Sequence, residues 1–264
     1  MPTTLKRYGS LIFAGICFGT TGTAQALGPS GTSPLVVGAS RLLTGGVLLW
    51  FINRFFGNSG NSGPKISAIN LWIGGVGVAL YQLSFFTAVR STGVAVGTLT
   101  AIGSAPALTG IFAYLINKER PTFHWVRATL VTTVGIIFLT GAKGFSHFNA
   151  VGVLEALGAG ASYSLFAVAS KRAIHDGANF IEVMYKVFGL GAILLTPVFL
   201  FENDHFLITR SGFLMVLWLG AIPTAVAYTA YAYGLIHVKV ATASTLILAE
   251  PATATLLAAV VLGE

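Results

Sequence analysis

LILAEPATATLLAAVVLGE, residues 246–264, is an apolar run with a carboxylate and a proline, Glu250-Pro251, in its middle. An earlier stretch, IGSAPALTGIFAYLINKE at 102–119, has the same shape. Laid together, Pro106 meets Pro251 and Glu119 meets Glu264, both at an offset of 145 residues. That offset also pairs Arg41 in ASRLLTGGVLL with Lys186 in MYKVFGLGAILL, Gly15 with Gly160, and Phe18 with Tyr163. One small insertion or deletion is needed between LWIGGVG and LWLGAIP. Leucine, alanine and glycine are common here and align by chance. A proline, a glutamate and a basic residue at one offset are harder to assign to chance. The chain therefore reads as an internal repeat, with units 1–145 and 146–264.

Each unit is made of apolar segments. Hydrophobic residues make up 55% of the chain and charged residues 9%, against about 25% charged in soluble domains. Mean hydropathy is +0.81. Segments of about 20 apolar residues, the length that crosses a bilayer, recur throughout. They fall at 8–27, 34–53, 67–89, 93–116, 122–141, 151–170, 180–201, 212–235 and 240–262. Short turn-forming connections such as LGPSGTSP and GNSGNSGPK separate them. The expected fold is an all-α polytopic membrane protein with no room for a separate catalytic domain. Lys6-Arg7 followed by an apolar stretch, and the triplet Ala24-Gln25-Ala26, resemble a signal peptide and its cleavage site. The apolar segment is too long for that and many spans follow, so it reads as an uncleaved first helix.

With the N-terminus in the cytoplasm, the inside sections hold nine Lys and Arg residues and the outside sections three. This bias fixes the N-terminus inside. The first unit then has five spans, an odd number, so the second enters the membrane in the opposite sense. Such inverted repeats are a common architecture of secondary transporters. The second unit has four spans, and the repeat predicts a tenth helix after Glu264.

Several function classes are set aside. The net charge of +7 is spread over loops, and no basic run exceeds Lys171-Arg172, so nucleic acid is not an expected partner. No phosphate-binding loop motif is present. No cysteine pair or histidine cluster suggests a metal site, and no cofactor is implied. The five histidines lie near loops or helix ends, and the single cysteine, Cys17, reads as a small packing residue. Gly15-x-x-x-Gly19 and Gly93-x-x-x-Gly97 read as helix-packing motifs.

The paired segments SAPALTGIFAYLINKERP and LAEPATATLLAAVVLGE resemble the EamA-type members of the drug/metabolite transporter superfamily. The glutamate-proline pair followed by small and aliphatic residues up to Leu262-Gly263-Glu264 is the most specific part, and the resemblance covers essentially the whole chain. It implies a ten-helix carrier of the bacterial inner membrane with a central cavity between the repeats. Many such carriers export amino acids, metabolites or drugs.

Ionisable groups inside the bilayer cost about 2.5–3.5 kcal/mol each on insertion scales and mark candidate sites. Arg41 lies two turns into the second span, and its repeat mate Lys186 lies near the start of the seventh. Lys186 stands at i+4 from Glu182, so the two can instead neutralise each other on one face. Glu250 precedes Pro251. Proline removes a donor from the carbonyl four residues back and restrains the residue before it. Helix breaks are expected at Pro106 and Pro251, the second with free backbone acceptors beside a carboxylate. That arrangement could bind a cation, an amine or a proton, or could serve only to lock the fold. Tyr81, Tyr163 and Tyr228 fall within their spans and, with Gln82, are candidates for a cavity wall. Gln25, Tyr231 and Tyr233 are further polar candidates.

These features suggest a secondary transporter of small-molecule solutes, an exporter of amino acids or related metabolites, with protons as a candidate coupling ion through Glu250. Efflux of cationic or aromatic drugs is the alternative within the class. A membrane-embedded lipid-modifying enzyme is the rival outside it, and the scattered acidic residues argue against that reading. A channel is a third option.

Overall fold

A computed structural model describes residues 2–56, 64–92, 94–123, 125–127, 129–131, 134, 149–202 and 204–263. Among these residues the secondary structure is entirely helical. Four long helices come first: α1 (Pro2–Ala26), α2 (Pro34–Phe56), α3 (Ala68–Thr92) and α4 (Val94–Asn117). After the linker come α5 (Ala150–His175), α6 (Phe180–Leu195) and the one-turn α7 (Val198–Phe201), then a 3₁₀ turn at His205–Ile208. Next is α8 (Arg210–Gly220), which passes through a wide π turn at Ala221–Val226 into α9 (Ala227–Leu235). The last segment is α10 (Val240–Leu246) and α11 (Ala249–Leu257), ending in a π segment at Ala258–Leu262.

Seven helical stretches among the described residues are long and apolar enough to cross a bilayer, and they coincide with seven of the expected spans. The expected first span is the 25-residue α1, which begins at Pro2 and carries Lys6 and Arg7 on its first turns. The expected span at 122–141 lies largely outside the described residues.

At several helix contacts glycine lets the backbones approach closely, beside a core of large interlocked side chains such as Phe166, Phe188 and Tyr231. A β-carbon at Gly77 of α3 would stand 2.8 Å from the Ser162 carbonyl of α5. Gly15 and Gly19 of α1 lie against Ala249 and Thr253 of α11 in the same way. Without a hydrophobic force between helices in lipid, such close backbone approach supplies the dispersion contacts that hold a bundle together. Gly15-x-x-x-Gly19 is therefore an intramolecular packing motif, as expected. Gly93 lies outside the described residues. The outer surface carries Trp50, Phe55, Phe56, Trp72 and Leu200, all exposed, as suits contact with acyl chains.

Three prolines within long apolar runs, Pro106, Pro223 and Pro251, behave differently, although each leaves a carbonyl four residues back without its donor. At Pro223 the orphan is Leu219 O, and the Thr224 hydroxyl donates to it at 2.7 Å, so the chain continues through a wide turn. At Pro251 the orphan is Ile247 O, and the N–H of Glu250 reaches it at 2.8 Å. The break therefore falls upstream, at Ile247–Leu248, with Pro251 in the first turn of α11. Two expectations are corrected. The carbonyl expected to be free beside Glu250 is already bonded, and α4 runs through Pro106 without a break. Buried packing of the flanking residues and a Ser164 hydroxyl donating to Ala105 O, 3.2 Å, keep the turn around Pro106 in place.

Candidate functional site

Arg41 projects from two turns into α2 toward the wide turn between α8 and α9. Its Nε donates to Thr224 Oγ1 at 3.0 Å, and its Nη2 lies 3.4 Å from the Pro223 carbonyl. A π turn opens a helix and exposes groups that a regular helix would cover, which is why such turns recur at functional sites. Here the hydroxyl that replaces proline's missing donor also orients the guanidinium. Around Arg41 stand Tyr81 and Gln82 of α3, Tyr163 and Phe166 of α5, Phe188 of α6 and Tyr228 of α9. Tyr228 is the hub of the aromatic packing. Its ring lies 4.3 Å from Phe188, 4.7 Å from Phe18 and 5.6 Å from Phe166, centroid to centroid.

Tyr81 and Tyr163, 6.1 Å apart, form the wall shared with a second chamber. That chamber is lined by Ala101, Ile102 and Ala105 of α4, Ser244 of α10, Ile247 and Glu250. Arg41 and Glu250 therefore line adjoining chambers on either side of that tyrosine wall. A fixed cation, a carboxylate and three tyrosines thus converge from helices on both sides of the linker. The two chambers hold only about 30 and 10 Å³. Ligand pockets usually occupy roughly 300–1,000 Å³. The central cavity implied by the resemblance is not found at these residues.

The structure brings together Arg41, Tyr81, Gln82, Tyr163, Tyr228 and Glu250, all from the sequence-based set. Lys186 is not among them. Its ammonium pairs with the Glu182 carboxylate one turn earlier on α6, the local neutralisation weighed from the i,i+4 spacing. Lys186 also lies 6.0 Å from the Tyr185 ring. Gln25 stands at the end of α1, away from both chambers. Tyr233 is exposed and packs on Phe180 at 6.1 Å. Tyr231 is fully buried behind Tyr228. Sequence reasoning missed Phe18, Phe166, Phe188, Thr224 and Ser244. For Phe18 a signal existed, since the repeat offset pairs it with Tyr163. Among the described residues, no group of three or more His, Cys, Asp and Glu side chains could hold a metal ion.

Seven bilayer-length helices among the described residues, around a half-buried charged and aromatic centre, define a polytopic membrane protein built around an internal polar site. The EamA-like transporter family matches the chain twice, over residues 6–141 and 150–264, and the chain belongs to that family. It is a membrane transporter. It is similar to the uncharacterized transporter YwfM of Bacillus subtilis, 38% identical over 257 residues, covering 96% of this chain and 85% of the relative. It also resembles the uncharacterized inner membrane transporter YicL of Salmonella typhimurium, 23% identical, covering 100% of this chain and 89% of the relative. A crystal structure shares the fold with a TM-score of 0.80 at 22% identity, covering 98% of this chain and 88% of that one.

Proposed function

We propose that the chain is a secondary carrier of the inner membrane that exports amino acids or related small metabolites. Transport proceeds by alternating access around the site of Arg41 and Glu250. One observation carries the reading: a guanidinium and a carboxylate line two small adjoining chambers that share an aromatic wall, the recognition set a zwitterion with an apolar side chain requires. Arg41 suits the substrate carboxylate and Glu250 the ammonium, while the tyrosine and phenylalanine faces suit the side chain or the cation.

The carrier consists of two inverted units, 1–145 and 146–264, with the N-terminus in the cytoplasm. Matching contacts at the repeat offset support this. Gly15 of α1 packs on Ala249, and its mate Gly160 of α5 packs on Ser104, the mate of Ala249. Such pairs interchange when a symmetric carrier rocks about a central site. The near absence of volume at the site suits a state between the two open ones.

Reconstituted proteoliposomes loaded with unlabelled amino acids test the proposal through counterflow of radiolabelled ones. Saturable counterflow that Arg41→Met abolishes is the expected result. Counterflow of aromatic cations without any of amino acids or metabolites would replace the substrate class. Flux that is linear in concentration and shows no counterflow would overturn the carrier reading in favour of a channel.

A further inference from the structure

Three buried hydroxyls lie directly against the site and tie the two halves of the chain together. Thr109 Oγ1 of α4 donates to Ser164 Oγ of α5 at 2.9 Å and stands 3.3 Å from Ser244 Oγ of α10. Ser164 in turn reaches Gly160 O at 2.7 Å and Ala105 O at 3.2 Å. All three side chains are at most 3% exposed. Ser244 also lines the chamber of Glu250, so the cluster and the site share a wall.

Further bonds converge on α10 from the first half. Trp125 lays its ring where a β-carbon on Gly110 of α4 would sit, and its Nε1 donates to Ala241 O at 3.0 Å. Glu119 Oε2 accepts the Val240 N–H at 3.2 Å, and Lys239 Nζ reaches Arg120 O at 3.1 Å. The segment so held is a helix of seven residues. Its far end is the irregular step at Ile247–Leu248, where Pro251 prevents a continuous helix. A short rigid rod, hinged at one end and bonded along its length to the opposite half, has the construction of a gate.

We propose that α10 is the gate on the face of the molecule that carries Lys171 and Lys239. Thr109, Ser164, Ser244 and Trp125 form the latch that holds it shut in this conformation. The proposal rests on the alternating-access reading and adds to it the residues that set the balance between states. Opening this face parts α10 from α4, which breaks the Thr109–Ser244 and Trp125–Ala241 contacts together. The opposite end of the molecule has no comparable buried cluster among the described residues. The Ser33–Glu202 and Trp218–Thr20 bonds there, 2.7 and 3.2 Å, lie in partly buried or exposed surroundings. Ligand at the site presses on Ser244 and Ile247, next to the hinge, which links occupancy to release of the latch.

Thiol accessibility tests this. Ala105, buried in the wall of the Glu250 chamber, is replaced by cysteine in a Cys17→Ser background. A membrane-impermeant maleimide is applied from either face, using right-side-out and inverted vesicles. Thr109→Val, Ser244→Ala and Trp125→Phe are each added, the last removing the indole N–H together with the outer ring atoms that lie over Gly110. Removing one or two neutral hydrogen bonds from one of two competing states shifts their ratio by about tenfold. Labelling from the Lys171 face is expected to quicken by about that factor, and labelling from the opposite face to slow. Monodisperse elution in detergent confirms folding, and Trp125→Phe keeps the test open if a cluster variant does not fold. Wild-type labelling from both faces with folded variants indistinguishable from it would overturn the latch and leave alternating access standing. Labelling from one face only, in wild type and variants alike, would overturn both.

Discussion

Replacing Thr224 by valine separates the two tasks that this residue performs. Its hydroxyl donates to Leu219 O at 2.7 Å and accepts from Arg41 Nε at 3.0 Å, while its methyl fills the space over Gly45. The side chain is fully buried. Valine keeps the shape and removes both bonds, leaving a charged donor without its partner. Hydrogen bonds to charged groups contribute about 1.5–3 kcal/mol, so the guanidinium loses its anchor at a cost of about tenfold to a hundredfold in an equilibrium constant. Serine makes the complementary change: it keeps the hydroxyl and loses one buried methyl, about 1 kcal/mol of packing. Counterflow in proteoliposomes gives the half-saturation concentration, and thermal unfolding in detergent gives stability. Thr224→Val is expected to raise half-saturation by about tenfold or more, and Thr224→Ser to change it by less than about threefold while lowering the midpoint slightly. A valine variant that transports like wild type beside a serine variant that does not would refute the reasoning, since packing rather than the hydroxyl would then govern Arg41.

Glu250→Gln, which removes the proposed partner of the substrate ammonium, is expected to abolish uptake driven by an imposed pH gradient and to weaken counterflow while leaving folding intact, read as monodisperse elution in detergent; unchanged uptake at every gradient would exclude the carboxylate as the proton site. Lys186→Met and Glu182→Gln together should leave transport within about twofold, because an i,i+4 pair near the surface contributes only about 0.3–0.5 kcal/mol; loss of transport would return Lys186 to the site. Gly19→Ala places a β-carbon 2.6 Å from Thr253 Cβ and 2.8 Å from Glu250 O, so α1 and α11 must separate. Overpacking of this kind costs about 1–3 kcal/mol, read as a lower unfolding midpoint, and an unchanged midpoint would show that α11 shifts freely.

The membrane spans were legible because a run of about 20 apolar residues has few other uses. What each proline does to its helix was not, because that depends on which group reaches the orphan carbonyl. At Pro223 it is the hydroxyl of the next residue, and at Pro251 it is the preceding N–H. At Pro106 the helix continues without interruption. Proline in a sequence marks the vacancy and says nothing of its occupant. The contrast between Arg41 and Lys186 was half visible. Glutamate stands four residues before Lys186 and captures it, whereas valine stands four residues before Arg41, which must find its partner on another helix. The aromatic neighbours Phe166 and Phe188 carried no signal, because phenylalanine is common throughout an apolar chain and only the packing selects these two.

The proposed repeat gives the hydroxyl cluster a consequence beyond its own bonds. A carrier made of two identical inverted units would present the same energy in its two open states, and neither face would be favoured. At the repeat offset, Thr109, Ser164 and Ser244 correspond to Ala254, Gly19 and Leu99, none of which carries a side-chain hydrogen-bonding group. The corresponding α1–α11 contact is instead a close approach, with Gly19 against Thr253. One gate is then held by directional bonds that break cooperatively, and the other by dispersion that fades gradually with separation. The hydroxyl cluster is the part of this bias that can be moved, so transplanting it offers a direct experiment. Adding Leu99→Ser and Ala254→Thr to wild type puts two of the three hydroxyls on the second gate and should draw the state ratio back toward unity. The Ala105→Cys labelling rates from the two faces would then converge. If they stay as far apart as in wild type, the asymmetry between the gates has a source other than these hydroxyls.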